Sequence, residues 1–158
     1  MPVKESSINT LPSLWEVPIT PGEDPRQMSP LNLAFVGDAV HSLYVRTRLG
    51  CLSSAPSGRL HARAVAHVSA PGQARALAAV APLLDDEEAA ILRRGRNAHT
   101  PAVPRSCTPE QYHSATALEG LIGYLYLSRR AGRLEQVLKT AFDAIEGQAP
   151  RGEEDAGS

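Results

Sequence analysis

The chain has 158 residues, enough for one domain with a buried core, and carries a formal net charge of −1. Apolar residues make up 42% of it but aromatic residues only 4%, so aliphatic side chains must fill that core. A near-neutral total neither indicates nor excludes nucleic-acid binding, which depends on how charge is distributed along the chain.

Cysteine usage and the lack of long apolar runs indicate the compartment. Cys51 and Cys107 do not form a CxxC pair, so the sequence predicts two free thiols in a reducing cytoplasm. The N-terminus has no apolar stretch of the kind that secretory signals need. No segment approaches the ~20 apolar residues required to cross a bilayer, which predicts no membrane partner.

One helical domain is predicted between two loose ends. Residues 1–28 are rich in proline and lack a sustained period, which predicts a partly ordered extension. Residues 148–158, "QAPRGEEDAGS", predict a disordered tail. The domain therefore spans residues 29–147, where strand patterns are scarce and helix signals recur.

Helix starts can be placed in chain order. Ser29-Pro30 predicts the first, with the serine hydroxyl as cap and proline at the first helical position. "DDEE" (85–88) opens a later helix where the helix dipole favours acids, and Thr108-Pro109 opens the longest one. Ala131-Gly132 is predicted to break the chain before the last helix. The predicted helices cover about 30–50, 56–68, 71–83, 85–97, 108–130 and 133–146, an all-α bundle of about six helices.

Two acidic residues stand in apolar helical segments. Asp38 lies within "LNLAFVGDAV" (31–40) and Glu119 within "ATALEGLIGYLYL" (115–127). Because both helices are apolar around much of their circumference, both carboxylates are predicted to lie at or near the core, where an unpaired charge is costly. A structural ion pair, with Arg46 or Arg48 for example, would relieve that cost. A hard cation such as Mg²⁺, which takes oxygen ligands, would also relieve it.

A glycine adjoins each acid. Gly37 precedes Asp38 and Gly120 follows Glu119. Glycine inside a helix costs about 1 kcal/mol against alanine, so these positions predict close approach of another helix or of a ligand.

The two acidic segments resemble the two active-site motifs of the ribonuclease III family, which read roughly LEFLGDAVL and DxxEALIGAIYL. Asp38 matches the aspartate of the first motif and Glu119 the glutamate of the second. Two other family carboxylates are replaced, by Ala34 four residues before Asp38 and by Thr116 three residues before Glu119. These departures, the short chain and the lack of a double-stranded-RNA-binding domain resemble Mini-ribonuclease III, the compact bacterial branch. "SAPGQARAL" (69–77), "ILRRGRNAHTPAVP" (91–104) and "GYLYLSRRAGRLEQVL" (123–138) extend the similarity.

The resemblance implies a ribonuclease-III-like catalytic domain and a homodimeric, Mg²⁺-dependent endoribonuclease that cuts double-stranded RNA. Its implied task is maturation of the large-subunit (23S) ribosomal RNA precursor. Asp38 and Glu119 would be the catalytic metal ligands. Thr116 would contribute a hydroxyl or a hydrogen bond behind them, and water and RNA phosphate oxygens would complete the metal's coordination.

Positive charge is concentrated in one segment despite the neutral total. Between Ala89 and Pro109 there are four arginines and no acids. A solvated helix end explains the first arginines by their favourable interaction with the helix dipole. Contact with the phosphates and shape of duplex RNA explains the whole segment. The predicted RNA-binding residues are Arg93, Arg94, Arg96, Asn97, His99 and Arg105.

Two alternatives stay open on the sequence. The first is a catalytically silent ribonuclease-III-like module that holds RNA or the ribosome, although such a module does not need both Asp38 and Glu119. The second is a different all-α metal enzyme that uses the acids of "DDEE" as ligands. Those acids are adjacent and a helix start explains them more simply.

Overall fold

A computed structural model of the chain describes residues 23–99 and 102–147. Six α-helices and two 3-10 turns, without a strand, make up the secondary structure of these residues, which confirms the predicted all-α bundle. The helices are α1 (Pro30–Leu52), α2 (Ser57–Val68), α3 (Ala70–Val80), α4 (Asp86–Arg96), α5 (Pro109–Leu127) and α6 (Ala131–Glu146), and the turns are Pro25–Gln27 and Ala81–Leu83.

The predicted flanking segments fall mostly beyond the described residues. Of the extension predicted for 1–28, residues 23–28 are described and include the Pro25–Gln27 turn. The tail predicted for 148–158 lies outside. Both cysteines are free thiols, as expected. None of the helices in the described part of the chain is long and apolar enough to span a membrane.

Most helix starts follow the predicted capping chemistry. Asp85 and Glu88 form a capping box at α4, and Thr108 forms one with Gln111 at α5. Ser69 caps α3 by accepting a hydrogen bond from the backbone N–H of Gly72. The prediction for α1 is half wrong: the proline stands at the first position, but the Ser29 hydroxyl makes no capping hydrogen bond.

The break before the last helix lies earlier than predicted. α5 ends at Leu127, and Arg129 adopts a left-handed conformation with φ of 57°. The N–H of Arg130 then bonds to the carbonyl of Leu125, which closes the helix end as a glycine-type cap would. Gly132 is therefore an ordinary position in the first turn of α6, and the prediction that Ala131-Gly132 breaks the chain is wrong.

α5 is the central helix, and α1, α3, α4 and α6 pack against it. Its middle is fully buried, with Leu118, Leu121, Ile122 and Leu125 all at 0% exposure. This explains why its apolar residues show no clear single face: a helix surrounded on all sides has no polar side to mark.

Glycines bring the backbones of α1 and α5 into contact. A Cβ atom at Gly37 would lie 1.7 Å from the carbonyl oxygen of Glu119, and one at Gly123 would lie 2.0 Å from that of Leu33. Neither carbonyl can move without distorting its helix, so both positions require glycine. Gly120 is different, because a Cβ there would meet only the carbonyl oxygen of Pro30 at 3.8 Å, an ordinary contact.

Gly37→Ala is expected to lower the free energy of unfolding by roughly 3 kcal/mol, because the added methyl forces α1 away from α5. Gly120→Ala is the matched control and is expected to change stability by less than about 1 kcal/mol. Urea denaturation followed by circular dichroism measures both. Equal stability of the two variants would show that the close crossing does not exist in solution.

Candidate active site

The crossing of α1 and α5 brings Asp38 and Glu119 together. Asp38 follows Gly37, whose backbone contacts the carbonyl group of Glu119 itself. The negative charge of Asp38 is close enough to raise the pKa of the Glu119 carboxyl. Two acids that are 81 positions apart in the sequence thus form one pair, as the motif resemblance implies.

Burial of the two carboxylates differs from the prediction. Asp38 is exposed and Glu119 is half-buried, so the expectation that both lie at or near the core is wrong for Asp38. The cause is geometric: Gly37 takes the position that contacts α5, which turns the next residue toward solvent.

A structural ion pair does not explain these acids. Among the described residues, no lysine or arginine forms an ion pair with Asp38 or Glu119. Arg48, one of the predicted partners, instead donates to the Tyr44 hydroxyl and lies over the ring of Phe142. Within residues 23–99 and 102–147 the paired negative charges are therefore uncompensated.

The electrostatics of Glu119 follow from this arrangement. Desolvation raises the pKa of its carboxyl from 4.5 to about 7, and the charge of Asp38 adds to the effect. A hydrogen bond from the side chain of Gln73 acts in the opposite direction and favours the ionised form. A proton and a metal cation would compete for this carboxylate near neutral pH.

Behind Glu119 lies a buried polar pair. Gln73 on α3 and His41 on α1 are each 1% exposed, and Gln73 Nε2 lies 3.1 Å from His41 Nδ1. Burial and the neighbouring His67 lower the pKa of His41 to about 4, so its ring is neutral at pH 7. A neutral ring can accept at Nδ1 the hydrogen bond that the amide donates.

Sequence reasoning missed Gln73. One signal was present: at helical spacing it shares a face with Ala76, Leu77 and Val80, all of which are buried. A polar amide that begins such an apolar face needs a buried hydrogen-bond partner.

Small or neutral side chains occupy the places of the missing family carboxylates. Ala34 and Thr116 are both buried, one turn before Asp38 and Glu119 respectively. The Thr116 hydroxyl donates to the carbonyl of Tyr112, which leaves it free to accept a hydrogen bond but not to donate another. No group of three metal-ligating His, Cys, Asp or Glu side chains occurs in the described part of the chain.

This donor set fits Mg²⁺. Two uncompensated carboxylates offer the hard oxygen ligands that Mg²⁺ prefers, and one or two carboxylates are its usual protein share. A cation would relieve the repulsion that raises the pKa of Glu119. The remaining coordination positions would fall to water and substrate oxygens.

Four of the six predicted RNA-binding residues line two open clefts. Arg96, Asn97 and His99 line one open cleft of about 630 Å³. Arg93 and Arg96 line a second of about 520 Å³, where an Arg96 nitrogen donates to the Ser114 hydroxyl. Arg105 lies exposed in the loop before α5 and lines neither of these clefts.

Arg94 has a different environment. Its guanidinium donates to the backbone carbonyls of Arg26, at 2.7 Å, and Met28, at 3.0 Å. It therefore ties the segment before α1 to the end of α4, a structural role that its place in a basic cluster does not indicate. Glu110 follows the segment between Ala89 and Pro109 that contains no acidic residue. It lines both clefts and adds a negative charge to them, which the composition of that segment does not indicate.

Three of the four acids of residues 85–88 have structural partners. Asp85 caps α4, and Glu88 is fully buried against Arg133, with an oxygen–nitrogen distance of 2.7 Å. That guanidinium holds the pKa of Glu88 below its usual range. Glu87 accepts a short hydrogen bond from Tyr124. These contacts explain the cluster without a metal.

Comparison with known proteins agrees with the motif resemblance. Residues 31–130 match the model of the ribonuclease III domain family. Proteins named Mini-ribonuclease 3 include one from Synechocystis sp., 43% identical over 87% of this chain and 94% of its own length. Another, from Symbiobacterium thermophilum, is 41% identical over 78% of this chain and 95% of its own.

Structural comparison gives the same result. The protein is similar to one from Fusobacterium nucleatum whose crystal structure is known, with 33% sequence identity and a TM-score of 0.69. The match covers 79% of this chain and 98% of the other. With the matched motifs, the paired acids and these relatives taken together, the chain belongs to the ribonuclease III domain family, in its Mini-ribonuclease III branch.

Proposed function

We propose that this protein is a Mg²⁺-dependent endoribonuclease that cleaves double-stranded RNA in the cytoplasm. The observation that carries the proposal is the pair formed by Asp38 and Glu119, which meet at a fixed helix crossing where no lysine or arginine of the described residues compensates them. Its natural substrate would be the 23S ribosomal RNA precursor, as the resemblance to the Mini-ribonuclease III branch implies.

Each residue of the pair has a defined task. Asp38, exposed at the surface, would hold Mg²⁺ where an RNA phosphate can reach it, and Glu119 would hold it from the protein side. When bound, Mg²⁺ supplies positive charge that stabilises the charge developing on the phosphate and lowers the pKa of an attacking water. Thr116 would accept a hydrogen bond from a water of this site.

The clefts along α4 and the start of α5 supply the proposed RNA surface. Arg93 and Arg96 present positive charge, and Arg96 is held in place through Ser114. Ser114 precedes Glu119 by five positions on α5, which separates the two residues by only about 7.5 Å along the helix axis. Duplex RNA is recognised through its phosphates and shape, which suits a surface of this kind.

A second copy of the chain is the proposed partner. Phe35 is 83% exposed on α1, one turn before Asp38, and Leu31 lies one turn further back at 38%. An aromatic side chain this exposed beside a charged site is typical of a contact surface. A twofold dimer through this face would set two active sites side by side for the two strands of a duplex.

Cleavage is the direct test of the catalytic pair. Asp38→Asn and Glu119→Gln are each expected to lower the rate of duplex RNA cleavage in Mg²⁺ by at least about 100-fold, because each removes a metal-binding charge. Asp86→Asn, at the exposed start of α4, is the control and should cleave normally. A folded wild-type protein that leaves duplex RNA intact across a range of salt concentrations would instead support the silent RNA-binding module.

The raised pKa of Glu119 predicts a stability difference that depends on pH. The pKa of the Glu119 carboxyl is about 7 in the folded protein and 4.5 in the unfolded chain. The contribution of this group to the free energy of unfolding is therefore fully present below pH 4.5 and is lost as the pH rises through 7. Metal-free Glu119→Gln cannot ionise, so it should equal the wild type near pH 4.5 and exceed it by roughly 2–3 kcal/mol at pH 8.

Denaturation in the presence of a chelator measures this difference. Glu110→Gln, an exposed change on the same helix, should show no such gain between the two pH values. A stability difference of equal size at pH 4.5 and pH 8 would mean that Glu119 is not desolvated in solution.

The RNA surface is tested by salt dependence. Arg93→Ala and Arg96→Ala are each expected to weaken duplex binding and to reduce the slope of log affinity against log salt by roughly 1. Arg94→Ala should mainly lower stability, because it releases the carbonyls of Arg26 and Met28. Lys139→Ala, on α6, is the charge-matched control. Unchanged slopes for both cleft variants would place the RNA elsewhere.

Dimerisation is tested at Phe35. Phe35→Asp is expected to convert the dimer to a monomer in sedimentation experiments, because a charge cannot be buried in an apolar contact. Leu52→Asp, equally drastic and 69% exposed at the other end of α1, should leave the dimer intact. A monomeric wild type, or a dimeric Phe35→Asp, would rule out this interface.

A further inference from the structure

One buried side chain connects the proposed metal site to the core. Gln73 reaches from α3 to Glu119 on α5 and to His41 on α1, so three helices meet at its amide. A buried amide is costly unless it is hydrogen-bonded, and replacement by leucine would suit the surrounding aliphatic core. Its presence therefore calls for a role that an apolar side chain cannot fill.

The chemistry of its two neighbours fixes the orientation of the amide. The Glu119 carboxylate accepts hydrogen bonds and cannot donate one when ionised, and His41 Nδ1 lies 3.1 Å from Gln73 Nε2. Only the nitrogen end of an amide carries two hydrogens, and it can donate one to each neighbour. The opposite orientation would set the amide oxygen against the ionised carboxylate, which has no hydrogen to donate.

Burial then restricts the amide to this place. Gln73 and His41 are each 1% exposed, so neither side chain can turn toward water. Glu119, by contrast, has several rotatable bonds and is only partly buried. A hydrogen bond from a fixed donor therefore limits the orientations that this carboxylate can take.

We propose that Gln73 is a positioning residue for the metal site, which holds the Glu119 carboxylate in a metal-binding orientation while His41 anchors it from behind. This inference rests on the proposed function, since it assigns Glu119 a metal. Partners of this kind behind metal ligands typically change metal affinity or activity by 10–100-fold.

The test is binding of Mn²⁺ alone, without RNA, followed by electron paramagnetic resonance. Mn²⁺ takes the same oxygen ligands as Mg²⁺ and is directly visible. Gln73→Met keeps the length and apolar packing of the side chain but removes the donor. Its Mn²⁺ dissociation constant is expected to rise about 10-fold or more. In Mg²⁺, kcat for duplex RNA should fall while KM stays within about twofold, because the clefts that hold RNA are unchanged.

Leu77→Ala separates positioning from general destabilisation. Leu77 is buried one turn after Gln73 on the same helix, and its truncation weakens the core by roughly 2–5 kcal/mol. It is expected to retain the Mn²⁺ affinity of the wild type. The inference is overturned if Gln73→Met binds Mn²⁺ like the wild type, or loses no more affinity than Leu77→Ala.

The same Mn²⁺ titration distinguishes failure of the proposed nuclease function from failure of the positioning role of Gln73 alone. If the wild type neither binds Mn²⁺ nor cleaves duplex RNA, the proposed nuclease is wrong. If Asp38→Asn does both normally, the proposed metal site at Asp38 and Glu119 is wrong. The role of Gln73 fails in either case. If the wild type binds and cleaves, Asp38→Asn does neither, and Gln73→Met matches the wild type, only the positioning role is excluded.

Discussion

Direct contact between the backbones of α1 and α5 is the constraint on which the rest of the molecule depends. Two glycines, Gly37 and Gly123, let the carbonyls of Glu119 and Leu33 approach where side chains would otherwise separate the helices. The contact sets the place and direction of both acids at once. The buried middle of α5, enclosed by four other helices, keeps that crossing from sliding.

An electrostatic conflict lies at this crossing. Folding brings together two negative charges and partly dehydrates one of them, which works against stability above neutral pH. Elsewhere the chain pairs its buried acid well, as Glu88 with Arg133 shows. The contrast between a neutralised acid and an uncompensated pair in one small bundle is typical of proteins that give up stability at a functional site.

Local chemistry made much of the fold predictable from the sequence. Capping residues such as Asp85 and Thr108 act within a few positions, so they placed the starts of α4 and α5 closely. The end of α5 was misplaced because Arg129, rather than a glycine, takes the left-handed conformation. The site was found through two motifs. The geometry of the site could not be predicted, because it depends on contacts between helices that are distant in the sequence. The exposure of Asp38 and the hydrogen bonds of Arg94 and Gln73 are examples.

The glycine crossing also bears on how such a protein can diverge. A contact between two backbones has no rotamers, so the separation of the helix segments that carry the two acids does not depend on which aliphatic side chains fill the core. The core can therefore exchange leucine, valine and isoleucine over many generations while the spacing of the acids is preserved. An insertion or deletion in the helical turns that contain Gly37 and Gly123 would disturb that spacing, because each added residue rotates the rest of the helix by about 100°. The spacing of the two acids thus depends on the main chain, whereas the aliphatic side chains of the core can change.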